Sequence, residues 1–386
     1  MRAGTRVAAL VVPLLVACGP LPQELDWAPD HFERVFLDPL EPPGRVHVRL
    51  SEQASYELRH APREWVPGSV RIDGENFDVE VRLKGWGSFQ PLDARPSLKI
   101  RFDPDWYGHD VLIFNNYTSD PSKTHERLAT HAFHLMGMPA ARAGWARVRI
   151  NGEDRGVYGA VEDVDHHLLE RWFARGDGSL YELFDGDFED ELLEGIEHEE
   201  GPDIRPLLRH IAIDLATGDL TGFELAAEHF DVDAFLTFWA TTAVVAQTDA
   251  FPYSSPGDDA YLYFEPDQEQ FHFLPHGLDE AFFPRGRVVN QSNGLLARRC
   301  LALPSCLDAF RAKVEEVFDT LEHSDFEAHT GLLIDRAREL RFEDEVVEPT
   351  TTTQAPMPGF NQHWGILRSW LPTRRVQLEE ELAPRP

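Results

Sequence analysis

Two runs of alternating apolar residues, separated by a glycine-rich break, constrain this chain more than any other feature. Phe77, Val79, Val81 and Leu83 recur at every second position. Beyond Gly85-Trp86-Gly87-Ser88, Leu98, Ile100 and Phe102 do the same, with Ser97, Lys99 and Arg101 on the opposite face. A period of two is that of a half-buried strand, so each run must lay one face on a core. Asp120 and Pro121 then have the composition of an N-cap and a first helical residue. Leu128, Ala132, Leu135 and Met136 follow at helical spacing, and Gly137 and Pro139 end the run. Val148 and Ile150, the Asn151-Gly152 pair, and Val157 and Val161 spell a hairpin. Residues 45–165 therefore read as a β-rich lobe.

The pattern then changes. Leu168, Leu169 and Trp172 open a mainly helical half covering 166–386. In it Asp231 caps an apolar helix bearing Phe235, Phe238, Trp239 and Val245. A hairpin runs from Tyr261 to Phe264 and from Phe271 to Leu274, and a helix over Ile366 to Leu382 closes the chain. The class expected is α+β with two lobes, which suits 386 residues.

At the start, Arg2 and Arg6 precede an apolar run from Val7 to Val16, and Leu15-Val16-Ala17-Cys18 follows. Charge, apolar core and small-residue cleavage site make residues 1–17 an export signal. A Cys directly after Leu-Val-Ala resembles a bacterial lipobox, which implies lipidation at Cys18, a tether over 18–44 and placement on the cell envelope, at the outer membrane or surface. In an exported chain the close pair Cys300 and Cys306 reads as a disulfide. The net charge of −31 excludes wholesale nucleic-acid binding, which needs clustered cations.

Residues 182–203 hold eleven carboxylates and no Lys or Arg. Asp185, Asp187 and Glu189 have the alternate spacing of a calcium loop, but its sixth and twelfth positions are Asp190 and Ile196 instead of Gly and Glu. The expectation is a solvated, mobile surface. His125, His131, His134, His166 and His167 include no His-Glu-x-x-His arrangement and read as surface or supporting residues.

Carboxylates dominate the candidates for chemistry. Asp249 ends the apolar helix, Asp258 and Asp259 open the hairpin and Asp279 closes it in Pro275-His276-Gly277-Leu278-Asp279. A hairpin brings its ends together, and oxygen ligands there suit Mg²⁺, which takes one or two carboxylates plus substrate phosphates. Lys99 lies on the polar face of its strand and Glu126 near the start of the following helix, placed to pair with it. Strand Lys, helix Glu, catalytic Asp, hairpin and metal-binding Asp is the order found in protein kinases.

Particular motifs make the likeness specific. Arg82-Leu83-Lys84-Gly85 with Ser97-Leu98-Lys99-Ile100-Arg101-Phe102, Asn115-Asn116-Tyr117 through Asp120-Pro121-Ser122 and Glu126, Asn151-Gly152-Glu153 with Gly156-Val157-Tyr158 and Val161-Glu162, and Tyr261-Leu262-Tyr263 with the Pro275–Asp279 turn resemble the CotH kinase family. Its members are secreted or surface proteins with an atypical kinase-like fold. The resemblance implies ATP with Mg²⁺ or Mn²⁺ as cofactors and an exported protein as substrate. It implies Lys84 and Lys99 on the nucleotide phosphates, Glu126 orienting the lysine, and Glu162 near adenine where the lobes join. Asp249 would be the catalytic Asp, with Asp258 or Asp259 and Asp279 around the metal.

Three positions depart from the family. Gly277 stands where many relatives carry the first Asp of Asp-x-Asp, Asp258 or Asp259 stands where Asn is usual, and His276 replaces a Trp. Two other readings follow from these departures: a nucleotide- or metal-binding pseudokinase, or a non-enzymatic envelope protein reusing the fold.

Overall fold

The computed structural model describes residues 30–218, 220–254, 256–283, 292–343 and 360–383. Cys18 and the export signal lie outside them. Seven strands close into a barrel: β1 (Gly44–Leu50), β2 (Val66–Ile72), β3 (Glu75–Lys84), β4 (Ser97–Phe102), β5 (Val111–Asn115), β6 (Ala143–Ile150) and β7 (Glu153–Glu162). Their order around it is β1-β2-β3-β4-β5-β7-β6, closed by the parallel pair β1–β6 with Val46 opposite Val148; every other pair is antiparallel. The alternation has the expected result. Val81, Leu83, Leu98, Ile100, Phe114 and Val148 fill the interior, and the residues between them face out. The β6–β7 turn uses Asn151 (φ +51°) and Gly152 (φ +88°), a conformation these two residues tolerate.

Two helices interrupt the barrel strands, α1 (Glu52–His60) and α2 (His125–Leu135). Ahead of β1, residues 30–37 depart from the expected tether. Glu33–Leu37 form a π-helical turn, Phe32 and Phe36 are buried, and Arg142 pairs with Asp30 at 2.7 Å and Glu33 at 3.0 Å. Phe36 lies so close over Gly44 and Gly144 that a side chain at either would collide with it.

The second half holds a four-stranded antiparallel sheet in the order β11-β10-β8-β9, formed by β8 (Ser179–Leu183), β9 (Ile196–Glu200), β10 (Ala260–Glu265) and β11 (Gln270–Pro275). Around it pack α3 (His166–Trp172), α4 (Arg205–Ala216), α5 (Leu220–Ala227), α6 (Val232–Val245), α7 (Leu295–Ala302), α8 (Pro304–His323), α9 (Phe326–Glu343), α10 (Phe360–Arg368) and α11 (Trp370–Leu382). The acidic stretch 182–203 is thus not a loose surface: it supplies the end of β8, a 3₁₀ turn at Asp190–Gly195 and edge strand β9, with Phe188, Leu193 and Ile196 buried. The Asp187 carboxylate accepts the backbone N–H of Leu295 at 3.0 Å at the start of α7, and Glu189 pairs with Arg298.

Helix α6 sets the site that follows. Asp231 caps it by accepting from the Ala234 N–H at 2.9 Å, and Phe235, Phe238 and Trp239 are buried among the surrounding elements. Each large apolar side chain withdrawn from water there stabilises the lobe by roughly 1.5–3 kcal/mol. At its C-terminus the last carbonyls gain side-chain donors, Trp370 Nε1 on Val244 at 2.8 Å and Arg374 on Ala243 at 2.8 and 2.9 Å. Ala246 then turns left-handed (φ +52°), and the chain leaves α6 sharply. Among the described residues no helix is long and apolar enough to cross a membrane.

Candidate active site

The barrel contributes two lysines and a glutamate. Leu83, Leu98 and Ile100 point inward, so Lys84 and Lys99 share the outer face of β3–β4. Lys84 Nζ donates to Asn115 Oδ1 at 3.3 Å. Asn115 Nδ2 in turn donates to Glu126 Oε1 at 2.9 Å and Oε2 at 3.2 Å. Burial pushes Glu126 up to about 8, with the charge of Asp279 adding to the shift and Asn115 opposing it. Burial also lowers Lys84, as does Lys99, against the attraction of Glu126 and Asp279. Lys99 is not the partner of Glu126: its Nζ lies 3.1 Å from Asp163 Oδ1. The lysine linked to the helix glutamate is Lys84, through Asn115.

The turn ahead of α2 departs from expectation for a local reason. Asp120 is buried and accepts the N–H groups of Lys123 at 3.1 Å and His125 at 2.7 Å, organising a turn of its own. The helix therefore begins at His125, with Thr124 as its N-cap. Asn116 Nδ2 donates to the Ser88 and Arg95 carbonyls at 3.0 and 2.9 Å, tying the glycine-rich turn to the start of this segment.

The helical lobe contributes carboxylates. Gln247, buried just beyond α6, donates from Nε2 to Asp259 Oδ2 at 3.0 Å and to the Gly277 carbonyl. Asp258 Oδ1 accepts the Asp259 N–H at 2.9 Å, and the Asp259 carbonyl accepts the His276 N–H at 3.2 Å, so the two ends of the β10–β11 hairpin meet as its topology requires. Asp249 is exposed and accepts from Ser254 Oγ at 3.3 Å. Burial raises Asp259 well above the usual carboxylate range, and the charges of Asp258, Asp249, Asp279 and Glu280 raise it further. Burial followed by like charge takes Glu280 to about 7. Asp258 reaches about 6, where burial and the charge of Asp249 outweigh a backbone hydrogen bond.

These carboxylates fit a hard divalent cation in their chemistry: the donors are oxygens, and each raises the proton affinity of its neighbours, as expected where negative charge exceeds its compensation. They do not form a closed cage. Among the described residues the only sets of three or more side chains with ligand atoms within 4.8 Å of one another are Asp110 with His166 and His167, and His131 with Asp325 and His329. An open set suits Mg²⁺, which keeps waters and substrate phosphates in most of its positions.

Glu162 does not present a free side chain where the lobes join. It is buried and held by Arg142 at 2.6 Å and Arg171 at 2.8 Å, with His109 at 3.7 Å. Its carboxyl stays below the ordinary range because the charges of Arg142 and Arg171 outweigh burial. His276 packs edge-on against Tyr261, ring centroids 5.1 Å apart. Burial first and the charges of Lys84 and Lys99 next take it down to about 3, so it stays neutral. His125 is fully buried, with Nε2 3.2 Å from His363 Nδ1, and not a surface residue. Cys300 and Cys306 form the expected disulfide, Cα atoms 5.2 Å apart, between α7 and α8.

A barrel-side lysine and glutamate, linked through one asparagine, thus face a nest of carboxylates at a hairpin mouth. The family model for CotH kinase protein matches residues 81–378, and the chain belongs to that family. It is 22% identical over 301 residues to the inner spore coat protein H of Bacillus subtilis, covering 74% of this chain and 77% of that one. It is 24% identical over 255 residues to invasin CotH2 of Rhizopus delemar, covering 58% of this chain and 42% of the invasin, so it spans less than half of that relative. Among solved structures it matches the Helicobacter pylori proinflammatory kinase CtkA at TM-score 0.27 and 10% identity, covering 74% of this chain and 92% of that one. It matches a Shewanella oneidensis HipA, HipB and operator DNA complex at TM-score 0.31 and 10% identity, covering 72% of this chain and 61% of that one.

Proposed function

We propose that this chain is an atypical ATP-dependent protein kinase that acts outside the cytoplasm on a hydroxyl of an exported protein. The observation that carries the reading is the Lys84–Asn115–Glu126 relay set against Asp279 and its neighbouring carboxylates. Family membership supports the same activity. Lys84, with Lys99 beside it, would contact the nucleotide phosphates, and Glu126 through Asn115 would hold Lys84 in place. Asp279 and Asp259 would hold Mg²⁺ or Mn²⁺, with Asp258 and Glu280 near it. Held by these carboxylates, a divalent cation would supply the positive charge that offsets the negative charge developing during transfer. Asp249, exposed at the mouth, would orient the acceptor hydroxyl and take its proton late. Because the transition state is loose, positioning and charge neutralisation would supply most of the catalysis. An export signal and lipid anchor at Cys18 belong to the same proposal.

The test is incubation of the exported chain with γ-labelled ATP and Mg²⁺ or Mn²⁺, with Asp249→Ala and Asp279→Ala proteins alongside. Label on the protein or on a generic acceptor, lost in both variants, supports the kinase. Mg²⁺-dependent ATP binding without label favours the pseudokinase. Neither label nor ATP binding by folded protein sinks the nucleotide reading.

A further inference from the structure

A helix of the barrel half, α2, and one of the helical half, α9, meet at a cluster that the phosphoryl-transfer reading does not use. His131 lies on α2, and Asp325 and His329 lie at the start of α9, where the Asp325 carbonyl accepts the His329 N–H at 2.8 Å. A four-residue spacing at a helix start sets two side chains on one face. Here that face looks at α2: His131 Nε2 is 2.9 Å from Asp325 Oδ1, and the His131 and His329 rings are 4.2 Å apart at 34°. One ligand atom from each of the three lies within 4.8 Å of the other two.

From this juxtaposition we propose that His131, Asp325 and His329 form a binding site for Zn²⁺ or a similar borderline divalent ion, clamping α2 to α9. Two imidazoles and one carboxylate, with a position left open to solvent, are the ligand set of a three-residue zinc site. Tetrahedral bonds of roughly 2.0–2.2 Å need ligand atoms roughly 3.3–3.5 Å apart, so closing the site takes a rotation of side chains and no movement of helices. The two rings face each other across the contact between α2 and α9, so a nitrogen of each is within reach of one ion. On binding, the imidazole of His131 takes the tautomer with its proton on Nδ1, which frees Nε2 for the ion, and the Asp325 carboxylate turns from its histidine partner to the metal. Asp325 is exposed, which provides the entry path. The consequence reaches the cleft through α2, whose first turn carries Glu126. The other imidazole group is looser, with Asp110 3.8 Å from His166 and 3.7 Å from His167.

The experiment is calorimetric titration of Zn²⁺ into chelator-stripped full-length protein, with excess Mg²⁺ present to occupy the oxygen-rich cleft. One site is expected, with affinity falling at least ~10-fold in each of His131→Ala and His329→Ala; even loss of an outer hydrogen-bond partner of a metal ligand costs that much. Asp279→Asn should leave it unchanged, which separates failure here from failure of the kinase reading. Hydrogen exchange should slow in α2 and at the start of α9 when Zn²⁺ is added. If an alanine variant misfolds, His131→Gln and His329→Gln repeat the comparison. Absence of Zn²⁺ binding, binding indifferent to both histidines, or binding lost in His167→Ala instead would overturn the proposal.

Discussion

The carboxylate of Asp259 occupies the space that a side chain at Gly277 would need: a Cβ at position 277 would fall 1.9 Å from Asp259 Oδ1 and 2.2 Å from its Cγ. Gly277 also sits at φ +59°, which favours glycine. The glycine that departs from the family's Asp-x-Asp turn and Asp259, one of the two aspartates that stand where Asn is usual, therefore belong to one local arrangement. The second carboxylate reaches the turn from the start of the hairpin.

That arrangement predicts coupling. Gly277→Ala should cost about 1–3 kcal/mol from the backbone conformation alone, and more from the collision. Adding Asp259→Gly should recover the collision part, leaving the double variant more stable than the sum of the singles. Urea melts of all four proteins measure the coupling; strict additivity would mean the two residues do not share that space.

The two lysines should separate in labelling assays. Lys84→Met is expected to lower ATP-dependent labelling by ~10²–10³-fold, the scale of a lost electrostatic contact to the reacting phosphates. Lys99→Met, whose partner is Asp163, should cost at least ten times less. Equal losses would return Lys99 to the central role its strand position first gave it.

Stability should fall as pH rises across the cleft's titration range. Glu126 titrates near 8 and Glu280 near 7 against 4.5 for the free side chain, and Asp258 near 6 against 3.8. Between those limits the folded protein holds protons that the unfolded chain has released, so unfolding becomes easier with rising pH. On the proposed reading Mg²⁺ would bind the ionised carboxylates, so its addition should flatten the slope. Melting temperatures at pH 5, 6, 7 and 8 with and without Mg²⁺ check both signs; a rise with pH in its absence would contradict the assignment.

Glu162 should be a keystone of stability and not of nucleotide affinity. Glu162→Gln strips the charge that Arg142 and Arg171 share in a buried site and should cost about 3–5 kcal/mol by denaturant melting. Its carboxyl is held below the ordinary range, so the stability it contributes is present above the unfolded value near 4.5 and is lost as pH falls through its lowered folded value.

Much of the architecture is written in periodicity. The β3 and β4 alternation, the Asn151-Gly152 hairpin, the Asp231 cap and the meeting of Asp259 with the turn after β11 follow from local patterns and from hairpin geometry. What escaped is set by partners far along the chain. Lys84 and Lys99 lie on the same strand face, and only the placement of Asn115 and Asp163 distinguishes them. Glu162 is consumed by Arg142 and Arg171, which periodicity cannot pair. The charge of residues 182–203 hid a strand, because β9 is an edge whose acidic side chains face water while Ile196 alone is buried. Gln247 and Glu280 carried no signal beyond proximity to Asp249 and Asp279.

The seating of Phe32 and Phe36 has a mechanical meaning. Whatever holds the chain upstream of residue 30 pulls first on the ion pairs of Arg142 and on two buried rings, before any strand is loaded. The next element along the chain is β1, hydrogen-bonded to β6 on one side and β2 on the other, so tension reaching it loads the seam that closes the barrel. The face that carries Lys84 and Lys99, on β3 and β4, lies beyond this seam. A protein tugged at its N-terminus would transmit force into the barrel wall away from the cleft, leaving the cleft's geometry the last part to yield.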